Sequence, residues 1–284
     1  MDKDQAKSLI IDAFKNNVLG TKPSAQELQL NHDGTEGHWL EVKLGKKPDA
    51  SNEADFWGYE CKADTTSKTT WGDWTANYRI FNDSNYFTEK TLADRQNKFV
   101  TIFGNPNPKK NGRYSWSGKP VPSRHGELSE NGQSLNVDMN LDVSITYSYS
   151  LDQRPDKQSH VPSLFKKENL LLMKWFGYEG SFQSYKITAQ NDPNLDFHFS
   201  QKSLESKVLS KFGKYGWFKC LKDKNGIYQS LAFGDSLNYQ QWIDQVLKGS
   251  IYFDAGPYVG NDRPYSMWRS DNTFWAALVT STYP

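Results

Sequence analysis

Cysteine is nearly absent: Cys61 and Cys220 are the two in 284 residues. Two thiols cannot build a disulfide framework, and no Cys/His spacing matches a zinc site. The length is ample for a core that needs no staple, and a reducing cytoplasm is the expected compartment. Long apolar runs are missing as well. No stretch of about 18 apolar residues occurs, and the mean hydropathy is −0.79, which excludes a helical membrane protein. The N-terminus MDKDQAKSLIIDAFKNN is charged and amphipathic, unlike a signal peptide. Net charge is almost nil, +1 from 34 basic and 33 acidic residues. That balance argues against a uniformly basic nucleic-acid coat and leaves local patches open. There is no internal repeat and no linker clear enough to force a division, so one domain over 1–284 is expected.

What is present is unevenly placed. Aromatics make up 14 % of the chain, with ten tryptophans. Eight acids and four bases lie between Asp33 and Asp64. Five bases and no acid lie between Thr101 and Gly126, and seven lysines face two acids between Gln201 and Gly226. An acidic segment flanked by basic ones suits a metal-using enzyme acting on a polyanion, although charge runs are also ordinary solvated faces.

Periodicity predicts an amphipathic helix over 2–19, a short helix over 35–45 after the Asn31–Gly34 turn signals, and a strand over 56–63. Further strands are expected at Val100–Phe103, 141–149 and 181–189, and a helix at Ser203–Phe212. A hairpin is expected at 215–221 and 227–233, then a helix capped by Ser236 and ending near Gly249. Segments 250–254 and 273–280 are expected to complete the sheet. The Pro/Gly/Ser/Lys stretch 104–134 is too long for a tight connection, which marks it as functional or disordered. The order is mixed, hence α/β or α+β.

The acidic segment reads Gly37-His38-Trp39-Leu40-Glu41, Pro48-Asp49, and Ala54-Asp55-Phe56-Trp57-Gly58-Tyr59-Glu60-Cys61-Lys62-Ala63. In a strand, Glu60 and Lys62 share one face. Asp55 precedes them by a turn that Gly58 can sharpen. Two carboxylates converging at a strand end make an oxygen site for a hard divalent cation such as Mg²⁺, to which the Cys61 carbonyl can add a ligand. The Lys62 ammonium would sit beside the attacking water or the scissile phosphate. Glu41, on the preceding helix, could hold the site from behind or serve a second metal. The Cys61 side chain points to the opposite face, and a catalytic thiolate finds no histidine partner. Taken alone, the pattern also describes a surface strand with an i,i+2 Glu/Lys pair.

The flanks add specificity. GHWLE followed by AD-FWGYECKA resembles the active-site signature of the MvaI/BcnI-like type II restriction endonucleases, in the MutH-like branch of the PD-(D/E)xK nucleases. In that branch a helix carries a glutamate, and Asp…Glu-x-Lys follows across a hairpin. The resemblance covers about residues 30–64 and is weak and topological beyond. It implies a restriction-endonuclease-like α/β core, with a central mixed β-sheet flanked by helices and two lobes forming a DNA cleft. It implies catalysis by Asp55, Glu60 and Lys62 with Glu41 as the helix glutamate, and Mg²⁺ on Asp55, Glu60 and the Cys61 carbonyl. A glycine between the aspartate and the Glu-x-Lys strand favours Asp55, with Asp49 as the fallback. The catalytic lobe would occupy about 1–103.

Three segments could grip DNA through phosphate and base-edge contacts. Directly after the catalytic strand come Ser67, Lys68 and Arg79. The basic loop 104–134 offers Lys109, Lys110, Arg113 and Arg124. Segment 254–272 offers Asn261, Asp262, Arg263, Ser266 and Arg269, where related enzymes insert a loop bearing His and Arg into the groove. The family's histidines have no counterpart here. The expected function is a sequence-specific double-stranded DNA endonuclease leaving 5′-phosphates at a short, CC(N)GG-like target. It is expected to act as a monomer beside a cognate DNA methyltransferase. Two other readings stand next to it: a MutH-like methylation-directed nickase, and a non-catalytic carbohydrate-binding β-rich protein suggested by the tryptophans.

Overall fold

The computed structural model describes residues 1–24, 26–27, 35–46, 52–196 and 201–284. The Asn31–Gly34 turn and Asp49 lie outside the described residues. In chain order the elements are α1 (Lys3–Asn17), α2 (Thr35–Lys43), β1 (Tyr59–Lys62), β2 (Lys68–Asp73), β3 (Tyr78–Arg79), α3 (Leu92–Phe103), β4 (Asn105–Asn107) and β5 (Arg113–Ser115). Then come β6 (Asn131–Val137), β7 (Val143–Asp152), α4 (Lys157–His160), β8 (Leu170–Trp175), α5 (Glu179–Gln190), α6 (Leu204–Phe212), β9 (Gly216–Lys222) and β10 (Tyr228–Gly234). The chain closes with α7 (Tyr239–Leu247), β11 (Tyr252–Ala255), β12 (Ser266–Asp271), α8 (Asn272–Ala277) and β13 (Val279–Tyr283). Two compact units result. The first comprises Met1–Thr69, Lys207–Trp242 and Ser270–Pro284, the second Thr70–Ser206 and Ile243–Arg269.

The first unit is built on a mixed sheet in the order β1-β9-β10-β13. β1 runs parallel to β9, with Glu60 beside Trp217 and Lys62 beside Lys219, and the remaining pairs are antiparallel. Alternation then sorts the side chains. Tyr59, Phe218, Cys220, Leu231 and Phe233 face a core closed by Ala6, Ile10 and Phe14 of α1 and by Trp39 and Leu40 of α2. α1 starts where Asp2 accepts from the Gln5 amide while the Gln5 side chain accepts from the Asp2 amide. On the other face Trp217 meets Trp275 of α8 edge-on at 4.9 Å, and Trp275 in turn packs on Phe212 of α6. A central sheet with helices on both faces is the expected α/β arrangement. Gly216, the residue paired with Tyr59, has φ +104, and a Cβ there would lie 2.3 Å from the Gly234 carbonyl. Gly216→Ala is therefore expected to lower unfolding free energy by about 2 kcal/mol, read as a shift in the urea midpoint.

The second unit holds the sheet β3-β8-β7-β6, the sheet β11-β12-β2 and the β4-β5 hairpin. Its core is aromatic: Trp116, Trp175, Phe253 and Trp268 join Phe99, Phe103, Tyr147 and Phe165 in one network of ring contacts, linked where Phe99 meets Trp116 edge-on at 5.3 Å. The last carbonyls of α3, which the helix leaves without partners, are met by side chains. His160 donates to Thr101 O, Arg154 to Ile102 O, and Asn131 and Gln133 to Phe103 O. This polar collar fixes the exit from α3 into the β4–β5 hairpin.

Several expected elements differ. Val100–Phe103 is the end of helix α3, not a strand: Gln96, Phe99, Val100, Ile102 and Phe103 are its buried face, and Thr91 caps it. A four-residue run with three apolar positions cannot separate a buried helix from a strand. Segment 181–189 lies in helix α5, with Phe182 and Ala189 buried. The helix after Ser236 begins at Tyr239, because Asn238 exchanges capping hydrogen bonds with Gln241. Segment 250–254 contributes to β11 in another sheet, and 273–280 is split between α8 and β13. The stretch 104–134 holds the β4–β5 hairpin and the start of β6. Of the ten tryptophans all but Trp57 are buried, which removes a tryptophan platform for sugars. No helix among the described residues is long and apolar enough to cross a membrane.

Candidate active site

The acidic motif folds into a two-residue hairpin. Phe56 and Tyr59 exchange both backbone hydrogen bonds at 2.8 Å. The turn residues Trp57 and Gly58 have φ of 50° and 104°, the positive values that tight hairpins require. At Gly58 a Cβ would lie 2.6 Å from the Lys214 side chain, so glycine is needed on both counts. Residues facing each other across a hairpin share a face, which sets Asp55 beside Glu60. Asp55 Oδ2 accepts from the Cys61 amide at 2.9 Å, and its Oδ1 accepts from Lys46 Nζ at 3.2 Å.

Glu60 points from β1 to the face occupied by α6. Its Oε1 accepts from Lys62 Nζ at 2.9 Å and from Lys211 Nζ at 2.8 Å. Its Oε2 is buried and has no hydrogen-bond partner among the described residues. The Lys62 ammonium lies 5.2 Å from the centre of the Phe212 ring. Burial pushes the Lys62 pKa down, and the Glu60 carboxylate opposes that shift. Cys61 points the other way, into the α1/α2 core. Its thiol is pushed well up, first by hydrogen bonding to Cys220 and then by burial, so it is no thiolate nucleophile. Glu41 is half-buried on α2, and its carbonyl accepts from the Lys46 amide, so α2 and Asp55 are linked through Lys46.

The donor set suits a hard cation. A buried carboxylate oxygen without a partner costs free energy unless something fills its place. Two carboxylates, with water and phosphate oxygens making up the rest, are what Mg²⁺ commonly takes. Among the described residues no cluster of three or more histidine, cysteine, aspartate and glutamate side chains is found.

Two site residues escape a reading of the motif alone, Lys46 and Lys211. Both belong to lysine-bearing segments visible in the charge pattern. The basic block 201–226 is not merely a flank of the acidic block, because the two pair with each other. Lys211 meets Glu60, Lys219 meets Asp64 at 3.2 Å, and Lys222 meets Glu36 at 2.8 Å.

A sequence model of the LlaMI restriction endonuclease matches residues 19–283. The chain belongs to the LlaMI restriction endonuclease family. It is 38 % identical over 281 residues to the type II restriction enzyme ScrFI of Lactococcus lactis subsp. cremoris, covering 98 % of each chain. It also resembles the restriction endonuclease MvaI solved with its cognate DNA substrate. There the TM-score is 0.56 at 13 % identity, over 100 % of this chain and 98 % of that one. At that identity the likeness speaks for the fold, and it agrees with the MvaI-like resemblance drawn from the motif. This enzyme is accordingly a type II site-specific deoxyribonuclease.

The remaining candidates divide by their surroundings. In the first unit Ser67 is exposed and Lys68 half-buried at the start of β2. In the second unit Lys109 and Lys110 stand exposed on the turn of the β4–β5 hairpin, and Arg113 stacks over Tyr258 at 3.6 Å. Trp116 donates to Pro257 O and Val259 to Tyr114 O. Two segments far apart in sequence, 104–116 and 257–261, therefore form one hydrogen-bonded element. Asp262 and Arg263 are exposed just beyond it. The Asn261 amide is engaged by Gly256 O and the Arg263 amide. Arg269 is paired with Asp254 at 2.7 Å, and Arg124 donates to Gly249 O. The Ser266 amide donates to Asp73. Arg79 is half-buried with its guanidinium over Phe81, and burial draws its pKa down to about 10 against the charge of Asp196.

Proposed function

We propose that the enzyme cuts both strands of duplex DNA with Mg²⁺ at a short, CC(N)GG-like target and leaves 5′-phosphate ends. The observation that carries this reading is the carboxylate pair of the hairpin. Asp55 stands beside Glu60, and Glu60 keeps one buried oxygen open while two ammonium groups hold the other. Asp55, Glu60 and the Cys61 carbonyl would hold the ion. When bound, Mg²⁺ supplies a water of lowered pKa and neutralises charge on the phosphate. Lys62 orients the attacking water and stabilises the phosphoryl oxygens as charge builds on them. The attacking water gives a proton to solvent as its oxygen bonds to phosphorus in line, the bond to the 3′ oxygen breaks, that oxygen takes up a proton from solvent, and the phosphate stays on the 5′ side. Glu41 supports the site from α2.

For the grip, Ser67, Lys68, Lys109, Lys110, Arg113 and Arg124 are assigned to phosphates, where they carry affinity that falls with salt. Asp262 and Arg263 are assigned to base edges: an arginine suits guanine N7 and O6, and an aspartate accepts from cytosine N4. Asn261, Ser266 and Arg269 shape that loop, and Arg79 supports the strand it stands on. The enzyme acts as a monomer in the cytoplasm, alongside a methyltransferase that protects the same target.

The test is digestion of a sequenced phage genome with Mg²⁺, followed by sequencing of the fragment ends. Discrete double-strand fragments with common 5′-phosphorylated ends are expected, and none in EDTA. Nicked circles alone from a supercoiled plasmid would replace this reading with the methylation-directed nickase.

A further inference from the structure

We infer that Lys211 is a positioning residue for the carboxylate that receives the metal. The inference rests on the assignment of Glu60 to the site. It goes beyond it by giving a function to a side chain 151 positions away, outside the Asp…Glu-x-Lys motif.

The argument starts from how a carboxylate turns. The last torsion of a glutamate is broad, so one hydrogen bond leaves its two oxygens easily exchanged. Here two ammonium groups meet the same oxygen: Lys62 at 2.9 Å and Lys211 at 2.8 Å from Oε1. The Glu60 side chain is 3 % exposed. With Oε1 pinned twice, Oε2 is the oxygen left for a cation, and it is the one without a partner. Lys62 is needed at the phosphate during the reaction. Lys211 can keep its hold on Glu60 when Lys62 turns away.

Lys211 is delivered by a rigid element. It stands in the last turn of α6, where Val208 and Phe212 are fully buried. The end of α6 is tied to the irregular segment that leads into Asp55. Asn52 Nδ2 donates to Lys207 O at 3.2 Å, and the Ala54 amide donates to Ser210 O at 3.1 Å. The same helix end thus places a hydrogen bond on one metal carboxylate and the backbone of the approach to the other. Residues that orient a metal ligand from behind typically change metal affinity or activity about ten- to a hundredfold when removed.

The experiment uses full-length Lys211→Met, Lys211→Arg and Glu60→Gln enzymes. Mn²⁺ is titrated by calorimetry, cleavage is followed against Mn²⁺ concentration, and thermal midpoints check folding. Lys211→Met is expected to bind Mn²⁺ about ten- to a hundredfold more weakly. Its cleavage deficit should close as Mn²⁺ is raised, with KM for DNA unchanged. Lys211→Arg, which keeps charge and hydrogen bond, should recover most of the affinity. Should Lys211→Met fail to fold, Lys211→Gln gives the same readout. Wild-type Mn²⁺ affinity in the variant without the ammonium overturns the proposal, as does a deficit that added metal leaves untouched. If Glu60→Gln itself binds Mn²⁺ and cuts as the wild type does, the site assignment fails first. If Glu60→Gln is inactive and Lys211→Met is normal, the positioning role alone fails.

Discussion

Asp55→Ala will cut the single-turnover cleavage rate by about a thousandfold or more while leaving specific DNA binding in Ca²⁺ within a few-fold of wild type. The two halves of this expectation have separate causes. Asp55 is one of two carboxylates at the hairpin, and without it a cation on Glu60 loses half its protein charge. Loss of a thousandfold corresponds to about 4 kcal/mol of transition-state stabilisation. The fold should persist, because the turn is closed by the Phe56–Tyr59 backbone bonds and not by the carboxylate. The variant gives up the hydrogen bond from the Cys61 amide and the contact with Lys46, both half-buried. A gel assay of binding in Ca²⁺, run beside cleavage in Mg²⁺, checks both halves. Undiminished cleavage by Asp55→Ala would sink the site assignment and turn attention to Asp49→Ala.

The motif half of this site was legible in the sequence because it depends on short-range geometry. Period-two alternation puts Glu60 and Lys62 on one face of β1 and sends Cys61 to the other, and the hairpin fulfils both. Gly58 announces a turn, and its positive φ is the reason. The second lysine on Glu60 was not legible. Its placement depends on how α6 packs against β1, and no local period encodes that. The only trace was an excess of lysine in 201–226. The same limit explains the fold-level differences. The 2–19 helix and the 216–234 hairpin follow from pattern and turn residues. The short run Val100–Phe103 did not declare itself a helix, since so few apolar positions fit either element.

The net charge of +1 acquires a different meaning in the fold. Acidic and basic blocks do not simply divide catalysis from grip. β1 and β9 run side by side, and Lys211, Lys219 and Lys222 pair with Glu60, Asp64 and Glu36. Lys109 and Lys110, by contrast, stay exposed.

The largest loss of stability is expected outside the active site. Arg154→Ala should lower unfolding free energy by about 3–5 kcal/mol at neutral pH. Asp152 is wholly buried, with 0 % of its side chain exposed, and Arg154 is 11 % exposed. The guanidinium grips both carboxylate oxygens, Tyr147 donates to Oδ2, and a further nitrogen reaches Ile102 O at the end of α3. Removing Arg154 strands a buried negative charge and uncovers a helix carbonyl in one step. The pH dependence gives an independent check. Burial raises the Asp152 carboxyl, but hydrogen bonds and charge from Arg154 outweigh it, so the pKa lies below its ordinary value. A depressed acid stabilises the fold above its unfolded pKa of about 3.9. That contribution is lost as pH falls through the lower, folded value. In Arg154→Ala the carboxyl is left with burial and the Tyr147 hydroxyl, its pKa rises, and protonation relieves it. The gap between wild type and variant should therefore narrow as pH drops from 7 toward 4. Urea unfolding at the two pH values measures the gap, and an equal gap at both would show that the ion pair is not what the variant removed. Asp152→Asn combined with Arg154→Met should recover much of the loss at pH 7, because it withdraws the stranded charge together with its partner.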